Sequence, residues 1–147
     1  MSAHPSLAVA LVTCMDARFH PAGVLGLADG DAHVIRNGGG RVTDDVLRSL
    51  IVSTHVLATR TVMVLHHTDC GMATIDQAGL VEVVADATGH RPFDIDFCTI
   101  ADPYDSLVDD VARVRDCDYL PGGLEIIGGI IDVETALIDV HVAAHRQ

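Results

Sequence analysis

The chain has 147 residues, of which 49% are apolar and only 3% aromatic, and it carries a net charge of −12. That length fits one domain spanning residues 1–147, with a core of Val, Ile, Leu and Ala. The charge argues against nucleic-acid or anionic-membrane partners, which need cationic faces, and leaves a neutral small substrate open. No run approaches the ~20 apolar residues of a membrane span. No basic region precedes the first apolar run, so a cytoplasmic location is expected. In that setting the four cysteines (Cys14, Cys70, Cys98 and Cys117) point to metal binding or free thiols over disulfides.

In chain order, "SLAVALVT" (6–13) is apolar without alternation, as a buried parallel strand requires. Residues 20–31 read as a short helix or turn ending in Asp-Gly, and "AHVIRN" (32–37) as a second strand followed by "GGGR". The clearest helix covers 43–59: Thr43 can cap it, Asp44 and Asp45 suit its positive end, and Val46, Leu47, Leu50, Ile51, Thr54, Leu57 and Ala58 form its apolar stripe. A third buried strand, "TVMVLHH", covers 61–67, and a helix covers 73–89. Residues 90–103 read as a loop, 104–116 as an amphipathic helix, and 124–142 as two strands around a turn near "DVETA". Alternation of strands and helices predicts a mainly parallel α/β sheet flanked by helices, without an internal domain boundary.

Sites in open α/β sheets form at the carboxyl ends of strands. Cys14 ends the first strand and begins "CMDAR", in which Cys14, Asp16 and Arg18 alternate. In extended chain that spacing puts all three on one face. His67 and Cys70, in "HHTDCG", end the third strand with a spacing that lets one turn supply two ligands. Two thiolates, an imidazole and a carboxylate suit tetrahedral zinc with an open fourth position. Each half alone is weak: a buried Cys is usually a small hydrophobe, and Asp16–Arg18 could be a surface ion pair contributing at most about 1 kcal/mol. Both halves at strand ends make a metal site the stronger reading.

The stretches "CMDAR" (14–18), "HVIRNGGGRVTDD" (33–45), "RSL" (48–50), "HHTDCGM" (66–72) and, more weakly, "GGIIDVETALIDV" (128–140) resemble the β-class carbonic anhydrases, in order over most of the chain. The resemblance implies one zinc ion per chain held by Cys14, His67 and Cys70, with an Asp16–Arg18 dyad beside it. Asp16 either accepts a hydrogen bond from the zinc-bound water or replaces that water on the metal, and Arg18 draws it off by pairing with it. It also implies an antiparallel fifth strand at the sheet edge and a homodimer or higher oligomer as the building unit. The expected reaction is reversible hydration of CO2 to bicarbonate by zinc-bound hydroxide. Hydrolysis of carbonyl sulfide or carbon disulfide at the same site is the alternative, and a non-catalytic zinc-binding protein a third. The chain departs from the family in having few residues before its first strand, which puts the N-terminal dimer arm of many members in doubt, and in Ala136, where the family often has Gly.

Several residues are not assigned to the chemistry. His66 alternates with His67 and should face away from the metal. His33 and His55 read as structural or exposed, His20 is a weak proton-shuttle candidate, and Cys98 and Cys117 read as free thiols. Arg36 and Asn37 read as structural, Gly71 as a close approach to the site or a plain turn glycine, and Asp44 as a helix cap or a residue behind the ligands. The glycines 38–40 lack the spacing of a nucleotide loop. Few aromatics predict an aliphatic pocket lining.

Overall fold

The computed structural model describes residues 2–147. A five-stranded sheet carries the fold: β1 (Val9–Cys14), β2 (Ala32–Asn37), β3 (Thr61–His67), β4 (Glu125–Ile131) and β5 (Ile138–His145), in the order β2-β1-β3-β4-β5. The first four strands are parallel and β5 runs antiparallel to β4 at the edge. Helices α1 (Pro21–Leu25), α2 (Asp44–His55), α3 (Gln77–Thr88) and α4 (Pro103–Arg115) join them. This is the mainly parallel α/β sheet with an antiparallel edge strand that the sequence predicts. No helix among the described residues is long and apolar enough to cross a membrane.

The inner strands β1, β3 and β4 are buried on both faces for most of their length, which is why they read as apolar runs, whereas β2 at the edge is only partly buried. On one face Ala10, Val12, Val62, Val64 and Ile126 meet Val46 and Leu50 of α2 and Leu107, Val111 and Val114 of α4. On the other, Leu11, Leu65 and Ile131 pack with Phe19, Ile100, Cys14 and Cys70. Helix α4 lies close to the sheet because residue 128 is Gly: a β-carbon there would come within 2.7 Å of Val111 Cγ2 and 2.6 Å of Val142 Cγ1.

Element boundaries differ from the sequence expectation for local reasons. β1 starts at Val9, because Ala8 adopts φ 54° and breaks the extended run, while Ser6 and Leu7 bond back to Gly30 and Asp31. α2 stops at His55, leaving Leu57 and Ala58 outside the helix, since Ala58 turns to φ 63° and the Thr59 N–H folds back onto the Ser53 carbonyl. α3 starts at Gln77, where the Asp76 side chain caps the Gly79 N–H, and the preceding Gly71–Ala73 is a separate 3-10 turn. β5 continues to His145, past the expected 142.

Candidate metal centre

Register brings the two halves of the site together. β1 and β3 are direct neighbours with Thr13 opposite Leu65, so Cys14 and His67 leave the sheet at the same end. The Cys70 turn then folds back over that end. Cys14, His67 and Cys70 are all buried, and one donor atom from each lies within 4.8 Å of the others. The two sulfurs are 4.0 Å apart. All four cysteines are free thiols, and Cys98 and Cys117 are not part of this group.

The donor chemistry fits a metal. His67 Nδ1 lies 2.8 Å from the Thr68 carbonyl, which can only accept, so Nδ1 carries a proton and its orientation is fixed. Nε2 is buried without a hydrogen-bond partner, and with Nδ1 held by Thr68 it is the ring nitrogen left to act as a donor beside the sulfurs. An orphaned buried nitrogen between two thiols is costly unless something binds it. Burial pushes the His67 pKa down, but Cys14, the Thr68 carbonyl and Asp16 outweigh it and hold the value above the ordinary one. The thiols share a proton: the Cys70 hydrogen bond, helped by His67 and the Gly39 N–H, pulls Cys14 down to about 4, and the thiolate beside it pushes Cys70 up. A cation bound there displaces these protons, so binding is coupled to proton release.

Asp16 and Arg18 join the group by a route other than strand alternation. β1 ends at Cys14, and residues 15–18 form a turn in which Asp16 Oδ1 accepts from the Arg18 backbone N–H at 2.8 Å. The expected shared face is therefore built by an Asx-type turn. The guanidinium closes a bidentate fork on Asp16, Nε to Oδ1 at 3.0 Å and a terminal nitrogen to Oδ2 at 2.8 Å. Asp16 Oδ2 stays 3.8 Å from His67 Nε2. The Arg18 pairing holds the Asp16 carboxyl well below the usual carboxylate range. Arg18 also grips Asp69, side chain and carbonyl both at 2.7 Å. Asp69, which the sequence reading passed over, so ties the H-x-x-C turn to the dyad.

Residues set aside on sequence find other places. His66 turns from the donors and lies 3.0 Å from Asp110 Oδ2 on α4. His33 bonds Ser53 and the Ala3 carbonyl, His55 reaches the Tyr119 carbonyl, and His20 is exposed. Arg36 holds the metal-side loop by donating to the Cys14 and Asp16 carbonyls at 2.8 and 2.6 Å. Gly71 is a plain turn residue, since a β-carbon there meets nothing within 4 Å. Asp44 sits in the first turn of α2, paired with Arg113 and apart from the donors. The glycine run proves to be the close approach instead. Gly40, at φ 67°, would put a β-carbon 2.8 Å from the Cys14 nitrogen, and the Gly39 N–H donates to Cys14 Sγ at 3.3 Å. A cavity of about 310 Å³ borders His67 and Cys70, lined further by Ala73, Ile100, Ile130 and Tyr104. Apolar side chains dominate it, but Thr68, Asp69, Thr74, His66 and Tyr104 also line it, so it is more polar than the aliphatic lining the sequence predicts.

Residues 9–88 match the family profile for carbonic anhydrase. The chain is 39% identical over 139 residues to beta-carbonic anhydrase 1 of Mycobacterium tuberculosis, an alignment spanning 92% of this chain and 82% of that protein. The chain belongs to the β-carbonic anhydrase family. A solved carbonic anhydrase from Streptococcus mutans has the same fold, with a TM-score of 0.90 at 44% identity, covering 93% of this chain and 82% of that one. A carbon disulfide hydrolase of Saccharolobus solfataricus is 48% identical over 62 residues, 42% of this chain and 30% of that protein. Within the family, Cys14, His67 and Cys70 form the chain's candidate metal centre, and their donor set of two sulfurs and one imidazole is that of zinc.

Proposed function

We propose that residues 1–147 act as one catalytic domain that hydrates CO2 reversibly to bicarbonate, with one zinc ion held by Cys14, His67 and Cys70. The observation that carries this reading is the buried, partnerless His67 Nε2 grouped with two thiol sulfurs, beside a carboxylate already claimed by an arginine. When bound, zinc supplies the Lewis acidity that makes water a nucleophile near neutral pH.

The chain's own residues supply the rest. Cys14 and Cys70 give two negative charges that balance the cation, and His67 gives a neutral third donor. Asp16, 16% exposed, is the acceptor at the mouth of the site. Arg18 holds it by the fork, so it accepts a hydrogen bond from the attacking water without becoming a fourth donor and turns that water's lone pair toward the substrate carbon. A closed, non-catalytic zinc site has no use for a cation that competes for its carboxylate, which counts against that reading. Thr68 fixes the imidazole, and the Gly39 N–H tempers the charge on Cys14.

The cavity, apolar for the most part, supports a second reading, hydrolysis of carbonyl sulfide or carbon disulfide, as does the 62-residue likeness to a carbon disulfide hydrolase. All three substrates are small, linear and electrophilic at carbon. We take the chain as a cytoplasmic homodimer or higher oligomer. The open edge strand β2, with Val34 44% exposed, supports association. The deciding experiment runs stopped-flow CO2 hydration and sulfide release from COS on one zinc-loaded preparation. The anhydrase reading stands if hydration has the larger kcat/KM, and a tenfold excess for sulfide release replaces it.

A further inference from the structure

Among the described residues Asp110, on α4, is the only buried carboxylate, 3% exposed. It gathers donors from two segments remote in sequence. Oδ2 accepts from Arg41 Nε at 2.7 Å and lies 3.0 Å from His66 Nε2, while Oδ1 accepts from the Val42 N–H at 3.1 Å. An ionised carboxylate can only accept, so His66 donates from Nε2. The Arg41 guanidinium continues to the Cys98 and Thr99 carbonyls at 2.9 and 3.0 Å. None of these groups belongs to the metal-donor set or to the Asp16–Arg18 pair.

Packing alone does not call for this cluster. α4 already presents Leu107, Val111 and Val114 to the sheet, and an apolar residue at 110 would continue that stripe. Buried ion clusters are often replaceable by apolar side chains with no loss of stability. What the cluster adds is direction, because a hydrogen bond fixes relative position where apolar contacts slide. Both segments that it fixes lead to the metal centre. Arg41 and Val42 close the loop whose Gly39 N–H points at Cys14 Sγ. Asn37 pins that loop to the same arginine's backbone, accepting from its N–H at 2.9 Å and donating to its carbonyl at 2.8 Å. His66 immediately precedes His67 at the end of β3.

We propose that Asp110 is a positioning residue for the metal centre: through Arg41, Val42 and His66 it sets the glycine loop and the end of β3 at one spacing, so that the Cys14 sulfur and the His67 imidazole are held in register for the ion. This rests on the metal reading given above. The cluster acts from the α4 face of the sheet, and none of its groups belongs to the donor set.

The test is metal binding by the intact chain carrying Asp110→Leu or Asp110→Asn. Zinc affinity is read by competition with a chromophoric chelator, and cobalt(II) reports the donor geometry through its thiolate charge-transfer and d–d bands. Both variants are expected to bind zinc ten- to a hundredfold more weakly and to shift the cobalt bands, with the far-ultraviolet circular dichroism of a folded α/β protein. Ser53→Ala breaks an equally buried pair, Ser53–Thr59 at 2.7 Å, at the other end of the strands. It is expected to lower the melting temperature while leaving zinc affinity and the cobalt spectrum unchanged. A folded Asp110→Leu protein with wild-type affinity and spectrum overturns the proposal. Should neither Asp110 variant fold, Arg41→Gln releases the loop alone and decides the matter by the same two readouts. A wild-type chain that binds no zinc in the same titration removes the metal assignment itself, and this inference with it.

Discussion

At the scale of single residues the centre makes sharp demands. Cys14→Ser, His67→Ala and Cys70→Ser are each expected to abolish zinc in elemental analysis, whereas Cys98→Ser and Cys117→Ser keep it, since those thiols stand outside the donor group. Loss of zinc from the Cys98 variant would show the ligand set to be misassigned. Asp16→Ala leaves three donors and should keep zinc but lose most activity. Arg18→Ala frees Asp16 to approach His67 and its neighbours, so turnover at neutral pH should fall; a fully active Arg18→Ala enzyme rules out the arginine as the group that holds the carboxylate away. Asp110 makes a demand on pH. Burial raises its pKa, but His66 and Arg41 outweigh it and set the folded value below the ordinary aspartate one. A carboxylate depressed on folding contributes stability that is complete well above the unfolded value and is lost as pH falls through the folded one. Acid unfolding should therefore steepen below about pH 4 in the wild type, and Asp110→Asn should flatten that slope in a circular-dichroism pH titration.

At the scale of elements, the β4–β5 turn invites an improvement. Ala136 sits at φ 58°, where an L-residue is strained, while Asp132 Oδ1 anchors the turn through the Glu134 and Thr135 N–H groups. Ala136→Gly is expected to stabilise by about 0.5–1 kcal/mol, seen as a rise of about 1–4 °C in melting temperature; an unchanged or lower value contradicts the strain. Strands and long helices were legible because burial imposes period: doubly buried strands read as apolar runs and α2 as a stripe. Their ends were not, because single residues such as Ala8 and Ala58 adopt positive φ that no periodicity announces. The donors were legible because H-x-x-C and C-x-D-x-R are local patterns at strand ends. Asp110, Arg41 and Asp69 were not, since their partners lie far along the chain. Asp110 did leave one trace, a carboxylate on the apolar stripe of α4, three residues after Leu107 and four before Val114.

At the scale of the whole molecule, the open β2 edge and a small sheet favour association. Light scattering at micromolar concentration should find a dimer or larger species, and an active monomer alone would contradict it. The strand order carries a further consequence, for how the chain reaches its native state. β1 and β3 pair across about fifty residues, and β3 pairs with β4 across sixty-four, Thr61 opposite Glu125. Such distant parallel pairings form late, after the cost of closing long loops has been met. Cys14 and His67 belong to two of those strands, so the ion has only the local His67–Cys70 pair to hold until the central sheet exists. Zinc should then act as a lock on the finished protein rather than a seed for it. In stopped-flow chevron analysis it should slow the unfolding arm while leaving the refolding arm almost unmoved.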